Sequence, residues 1–139
     1  MNNAESRLQQ ACVRWVRYQY PDLVVYAIPN GGKRNAVTGA ILKAEGVLAG
    51  VADLFVARAC GAWHGLYIEM KTERGRQSES QKAFERAVVG EGYRYAVCRS
   101  FEDFVEVVRG YLGEIRGAQE KPHGTLSGRG ATVSLIVGL

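Results

Sequence analysis

Apolar and polar positions alternate with different periods along the chain, and each period predicts one kind of element. Helical spacing of apolar residues predicts helices over residues 6–20, 36–45, 78–91 and 100–112. Apolar, β-prone runs predict strands over residues 23–28, 51–57, 66–70 and 93–98. The run 23–28 is apolar throughout, so we expect burial on both of its faces. This order of elements predicts a mixed α/β domain in which helices flank a central β-sheet.

The helix over 78–91 connects the third predicted strand to the fourth. Connections of this kind join parallel strands, so we expect 93–98 to run parallel to 66–70. A capping box is predicted at its start, with a Ser hydroxyl at position 78 and a Gln amide at position 81. The apolar residues that we expect this helix to bury are Ala83, Phe84, Ala87 and Val88.

The second and third strands are separated by a short, glycine-containing connection, which predicts an antiparallel hairpin. A symmetric hairpin centred on Gly61 places Asp53 directly across from Glu69, with Cβ atoms roughly 5 Å apart. Strand alternation sends Glu69 and Lys71 to one face and Met70 to the other. Two facing carboxylates repel each other unless a cation lies between them. The pattern therefore predicts a divalent metal site with a lysine beside it.

Composition narrows the class of protein only moderately. The chain has 139 residues, 47% hydrophobic and 23% charged, which suits one globular domain with a core. The net charge of +4 permits a nucleic-acid partner without requiring one. No apolar run is long enough to span a bilayer, the start lacks the pattern of a secretory signal, and three cysteines without CxxC spacing indicate reduced thiols rather than a zinc site. We expect a domain over 1–112 and, over 113–139, a glycine-rich tail with a β-prone end that is either disordered or exchanged between subunits.

Two polar residues each allow a structural and a functional interpretation. Glu5 lies near the buried face of the first helix, where it either stabilises the positive end of the helix or reaches the metal site as a third carboxylate. Gln81 either completes the capping box or contributes to the site. The sequence leaves both pairs of alternatives open.

Two polar loops carry positive charge. The loop of residues 30–35 contains Asn30, Gly31, Gly32, Lys33 and Arg34, which could approach DNA phosphates through backbone N–H groups and basic side chains. Arg74 and Arg76 follow Lys71 closely and could contact phosphates that flank the one being cleaved. For the loop of residues 30–35, an ordinary solvated loop is an equally good interpretation.

Asp53 followed by Glu69-Met70-Lys71 resembles the PD-(D/E)XK nuclease signature, with Ala52 where proline is often found. Glu5, the Asn-Gly-Gly loop and the helical Gln81 extend the resemblance to the VRR-type nucleases, over residues 5 to about 112. The resemblance implies a restriction-endonuclease-like core and a nuclease that depends on Mg²⁺ or Mn²⁺. Asp53 and Glu69 would bind the ion with help from the Met70 carbonyl, Glu5 would support it through water, and Lys71 would orient or activate the attacking water. Gln81 matches the family's helical glutamine, and Gln77 is a weaker candidate.

The sequence resembles the stand-alone members of this family, which look like homodimers that cut branched DNA, including four-way (Holliday) junctions. The resemblance thus implies a homodimeric, structure-selective DNA endonuclease in the cytoplasm of a bacterial or phage-infected cell. One alternative is a DNA-binding module on the same fold with weak catalysis, and a second is a structural protein whose hairpin acids are surface residues.

Overall fold

Four helices and four strands make up the part of the chain that the computed structural model describes, residues 2–29 and 36–113. They are α1 (Asn3–Gln19), β1 (Val25–Ala27), α2 (Ala36–Ala44), β2 (Leu54–Val56), β3 (Leu66–Met70), α3 (Glu79–Gly90), β4 (Arg94–Cys98) and α4 (Phe101–Tyr111). The predicted type and order of these elements are confirmed. The predicted loop 30–35 and nearly all of the predicted tail lie outside the described residues, and the division of the chain at residue 112 stays a prediction.

The strands form one mixed sheet in the order β1-β2-β3-β4. β2 is antiparallel to both β1 and β3, while β4 is parallel to β3, as the crossover helix α3 predicted. In the hairpin, Leu54 is paired with Ile68 and Val56 with Leu66, so the pairing is symmetric about residue 61. The α/β fold class and the hairpin register predicted from the sequence are therefore confirmed.

The hydrophobic core lies on one face of the sheet, under α1 and α4. Strand residues such as Leu54, Ile68 and Met70 point to this face. The helices contribute Cys12 and Val16 from α1 and Phe104 and Val108 from α4. Helix α3 packs on the opposite face, where the Phe84 ring meets the Tyr67 ring edge-on at a centroid distance of 5.1 Å. The sheet thus has α1 and α4 on one face and α3 on the other.

Two expectations about burial are wrong. Strand β1 is not buried on both faces, because it is the outer strand of the described sheet, and Val24 and Tyr26 are 58% and 45% exposed. Helix α3 leaves Ala83 and Ala87 exposed, since only its row of larger side chains, which includes Phe84, faces the sheet.

Candidate active site

The β2–β3 hairpin brings together three of the five predicted catalytic side chains, Asp53, Glu69 and Lys71; the other two, Glu5 and Gln81, come from helices α1 and α3. Asp53 lies one position before Leu54, which is paired with Ile68, so it stands opposite Glu69. The Lys71 ammonium lies 3.7 Å from a Glu69 carboxylate oxygen, and both groups line one cavity with Asp53. Met70 points to the other face and is completely buried in the core, which fixes the strand against rotation.

The two carboxylates lie in surroundings that disfavour their negative charge. Burial raises the pKa of Asp53, and the Met70 backbone N–H, which donates to Asp53 Oδ2 at 2.7 Å, opposes that rise. Burial and then the neighbouring Asp53 charge raise the pKa of Glu69 to about 8, although Lys71 acts in the opposite direction. Glu69 is only 3% exposed, and its Oε1 atom is buried without a hydrogen-bond partner. The pair therefore favours a proton or a cation between its oxygens.

Helix α3 presents Gln81 to the site through its capping box. The Gln81 side-chain oxygen accepts from the Ser78 backbone N–H at 2.8 Å, while its Nε2 atom donates to Glu69 Oε2 at 2.9 Å. The two interpretations of Gln81 are thus compatible, because its oxygen completes the capping box while its nitrogen contacts the site. Gly50 allows this approach, since a Cβ atom there would lie 2.4 Å from the Ser80 carbonyl oxygen, and its φ of +91° is strained for other residues.

The start of α1 forms another wall of the same cavity, which has a volume of about 670 Å³. Glu5 lines this cavity and also belongs to the first turn of α1, where its backbone N–H donates to Asn2 Oδ1 and its carboxylate accepts from Asn2 Nδ2. Gln9, one helical turn later on the same face, lines the cavity as well. Glu5 therefore belongs to the capped first turn of α1 and lines the cavity, but among the described residues it does not form a three-acid group with Asp53 and Glu69, so its role at the site stays a prediction.

The turn that follows Lys71 is held by an arginine from the end of β4. The Arg99 guanidinium donates to the backbone carbonyls of Thr72, Glu73 and Gly75. A Cβ atom added at Gly75 would lie 3.3 Å from Lys71 Cδ, so the turn packs against the stem of the lysine. Arg99 thus stabilises the turn that supports Lys71.

The predicted DNA-binding residues and Gln77 do not line the cavity in the part of the chain that the structure describes. Arg74 and Arg76 are exposed in this turn and do not line the cavity, while Asn30, Gly31, Gly32, Lys33 and Arg34 lie outside the described residues. Gln77 does not reach the carboxylates, because its amide donates to Glu85 and to the Tyr95 hydroxyl.

The sequence analysis missed Arg99 and Gln9. Arg99 acts through carbonyls of a distant turn, which no local pattern indicates. Gln9 follows Glu5 by one helical turn, and that spacing is the signal that could have identified it.

The ligand atoms that this site offers to a cation are oxygens. Within residues 2–29 and 36–113, no group of three or more His, Cys, Asp or Glu side chains is close enough to hold an ion together. Asp53 and Glu69 are the adjacent carboxylates, and the Met70 backbone lies beside Asp53 through its N–H.

A mixed sheet flanked by helices, with an Asp and a Glu-x-Lys on neighbouring strands at one cavity, defines a nuclease of the PD-(D/E)XK class. The chain belongs to the VRR-NUC domain family, because the profile of that family matches residues 3–102. A solved structure described as "VRR_NUC domain protein" is similar, with 25% sequence identity, a TM-score of 0.66, and coverage of 78% of this chain and 88% of that one. No curated protein matches the sequence. None of the described helices has the length and apolar content needed to cross a bilayer.

Proposed function

We propose that the protein is a metal-dependent, structure-selective endonuclease that hydrolyses phosphodiester bonds in branched DNA, with four-way junctions as its preferred substrate, as a homodimer. The observation that carries this proposal is the convergence of Asp53, Glu69 and Lys71 on one cavity. Membership in the VRR-NUC family supports nuclease activity on DNA. The metal, the branched substrate and the dimer are proposals.

The donor set fits Mg²⁺ or Mn²⁺. Both ions prefer oxygen ligands, and the cavity offers the carboxylates of Asp53 and Glu69 without a cysteine or histidine. Glu69 Oε1 is a buried acceptor without a partner, which is costly unless an ion or donor occupies the cavity. In this proposal the Met70 carbonyl completes the set and Glu5 contributes through water.

Each side chain has a distinct task in phosphodiester hydrolysis. Asp53 is oriented by the Met70 N–H and Glu69 by the Gln81 amide, so both carboxylates are held before substrate arrives. When bound, the divalent cation supplies stabilisation of the charge that develops on the phosphate oxygens and lowers the pKa of water. The Lys71 ammonium, 3.7 Å from Glu69, is positioned to donate to the attacking water or to a phosphate oxygen.

DNA contacts would extend from the cavity onto the surrounding surface. Arg74 and Arg76 are exposed in the turn after Lys71, where Arg99 holds the backbone in place. Basic side chains beside a nuclease site attract the phosphates on either side of the scissile bond. The glycine-rich basic loop over residues 30–35 is proposed to do the same.

The homodimer is supported by helix α2, whose sequence is apolar although none of its residues is buried in the described part of the chain. Val37, Ile41 and the nearby Leu48 are 70%, 53% and 60% exposed. A second copy of the chain is the partner we propose for this surface, because two active sites in one dimer can cut opposing strands of a symmetric junction. Light scattering at micromolar concentration should give a dimer mass. A monomer mass would contradict this part of the proposal.

The decisive experiment is cleavage of a labelled four-way junction in Mg²⁺ or Mn²⁺ by the wild type and by Lys71→Ala. We expect the variant to lose activity by about 10²-fold or more, since the charge beside the nucleophile is removed. Lys82→Ala is the matched control, because Lys82 is exposed on α3, lies outside the cavity and pairs with Glu79 at 3.5 Å. Equal cleavage by the wild type and Lys71→Ala would show that the site is wrongly assigned, and equal cleavage of linear duplex would refute the structural selectivity.

A DNA-binding module with weak catalysis is the competing function. The observation in its favour is that the described residues hold only two adjacent carboxylates rather than a larger acidic cluster. Against it, clustered acids repel phosphates, so a module that only binds DNA gains nothing from Asp53 and Glu69. Calorimetry separates the two functions: a wild type that binds junctions but shows no heat with Mn²⁺ would favour the module.

A further inference from the structure

Two buried side-chain acceptors lack hydrogen-bond partners in the described part of the chain, and both belong to the same cavity. They are Glu69 Oε1 and Gln9 Oε1, and the two residues line the cavity that holds Asp53 and Lys71. Buried polar groups in folded proteins are nearly always paired. A proton or a cation shared with Asp53 satisfies Glu69 Oε1, whereas Gln9 Oε1 requires a hydrogen-bond donor that the described residues do not supply.

The packing of α1 against the core fixes the position of Gln9. It lies on α1 between Glu5, which lines the cavity, and Cys12, which is fully buried in the core. Cys12 and Val16 anchor the helix in the core, and the half-buried Gln9 side chain lines this cavity and also borders a second, smaller one. An unmade hydrogen bond at such a site destabilises the protein unless a ligand satisfies it.

We propose that Gln9 is a positioning residue, whose side-chain oxygen accepts a hydrogen bond from a water molecule in the hydration shell of the divalent cation held by Asp53 and Glu69. This inference rests on the proposed function. A hydrated cation matches both orphaned acceptors, since it supplies charge to Glu69 and a water O–H to Gln9. A DNA phosphate matches neither, because its oxygens accept hydrogen bonds and donate none.

The test measures Mn²⁺ affinity by calorimetry and, separately, urea unfolding in EDTA, so that neither readout depends on cleavage. Gln9→Leu should weaken Mn²⁺ binding by about 10- to 100-fold, as is common when a residue that supports a metal site from outside its ligand shell is lost. Its unfolding midpoint in EDTA should equal or exceed that of the wild type, because a buried unmade acceptor has been removed. Gln9→Glu retains the oxygen and should bind Mn²⁺ within about threefold of the wild type.

Gln10→Leu is the matched control, because Gln10 is exposed on the same helix, outside the cavity, and donates to Ser6. It should leave Mn²⁺ affinity unchanged. If Gln9→Leu binds Mn²⁺ like the wild type, or if it loses only stability or only junction affinity, the role proposed for Gln9 is overturned.

Glu69→Gln, measured in the same titration, separates this inference from the proposed function. Loss of Mn²⁺ binding in Glu69→Gln with normal binding in Gln9→Leu would remove the Gln9 inference alone. No Mn²⁺ binding by the wild type would overturn the proposed cation site, and the Gln9 inference with it.

Discussion

The buried carboxyl group of Glu69 makes the stability of the cation-free protein depend on pH in an unusual direction. Its pKa rises from the ordinary value of 4.5 to about 8, mainly through burial. A raised carboxyl pKa means that the folded state prefers the protonated form. The resulting stabilisation is fully present below pH 4.5 and is lost as the pH rises towards 8.

The size of the effect follows from the pKa shift. One pKa unit corresponds to about 1.36 kcal/mol, so the shift is worth about 5 kcal/mol for this almost fully buried group. In urea titrations with EDTA, the free energy of unfolding of the wild type should fall by that amount relative to Glu69→Gln between about pH 4.5 and 8.5. The glutamine keeps the shape of the side chain but cannot ionise.

Two further measurements complete this prediction. Asp22→Asn, which removes an exposed acid outside the cavity, should show the same pH dependence as the wild type. Mn²⁺ added at high pH should stabilise the wild type and not Glu69→Gln, because the cation replaces the proton between the carboxylates. If the difference between the wild type and Glu69→Gln stays within about 1 kcal/mol across this pH range, Glu69 ionises normally and the reasoning is refuted.

Three other predictions concern the supports of the site. Gly50→Ala should lower the free energy of unfolding by about 2 kcal/mol more than Gly46→Ala in urea titrations, since both have left-handed φ angles but only Gly50 faces backbone atoms within 4 Å; equal losses would mean that strain alone matters. Ser78→Ala should cost about 1 kcal/mol through loss of the N-cap, measured by thermal unfolding, and an unchanged melting temperature would contradict the capping role. Arg99→Ala should speed amide hydrogen exchange in residues 72–75 by about tenfold without unfolding the core, because the bonds from Arg99 to this turn are lost. Unchanged exchange would show that the turn is stable without Arg99.

The geometry of the hairpin could be predicted because it follows from the sequence alone. Two β-prone runs placed symmetrically about Gly61 allow one register, and the structure has it, with Leu54 paired to Ile68. Period-two alternation then places Glu69 and Lys71 together. Local rules were sufficient here because the contacts join neighbouring strands across a short turn.

Other features depend on how distant elements pack, which no local pattern reveals. The run containing Val24 and Tyr26 is apolar, yet its strand lies at the border of the described sheet, so these side chains are exposed. The bonds from Arg99 to the turn after Lys71 connect parts of the chain that only the tertiary fold brings together. Gln9 could be recognised only once α1 was seen to form a wall of the cavity.

The divided amide of Gln81 has a consequence for how the enzyme can change over evolution. Because one end of the side chain secures the first turn of α3 and the other donates to Glu69, replacement at this position would disturb both the helix start and the proposed active site. A descendant that has lost catalysis but still needs its fold would therefore be expected to retain this glutamine. Its presence in a relative is weak evidence of activity, and Lys71 is the more informative residue to compare.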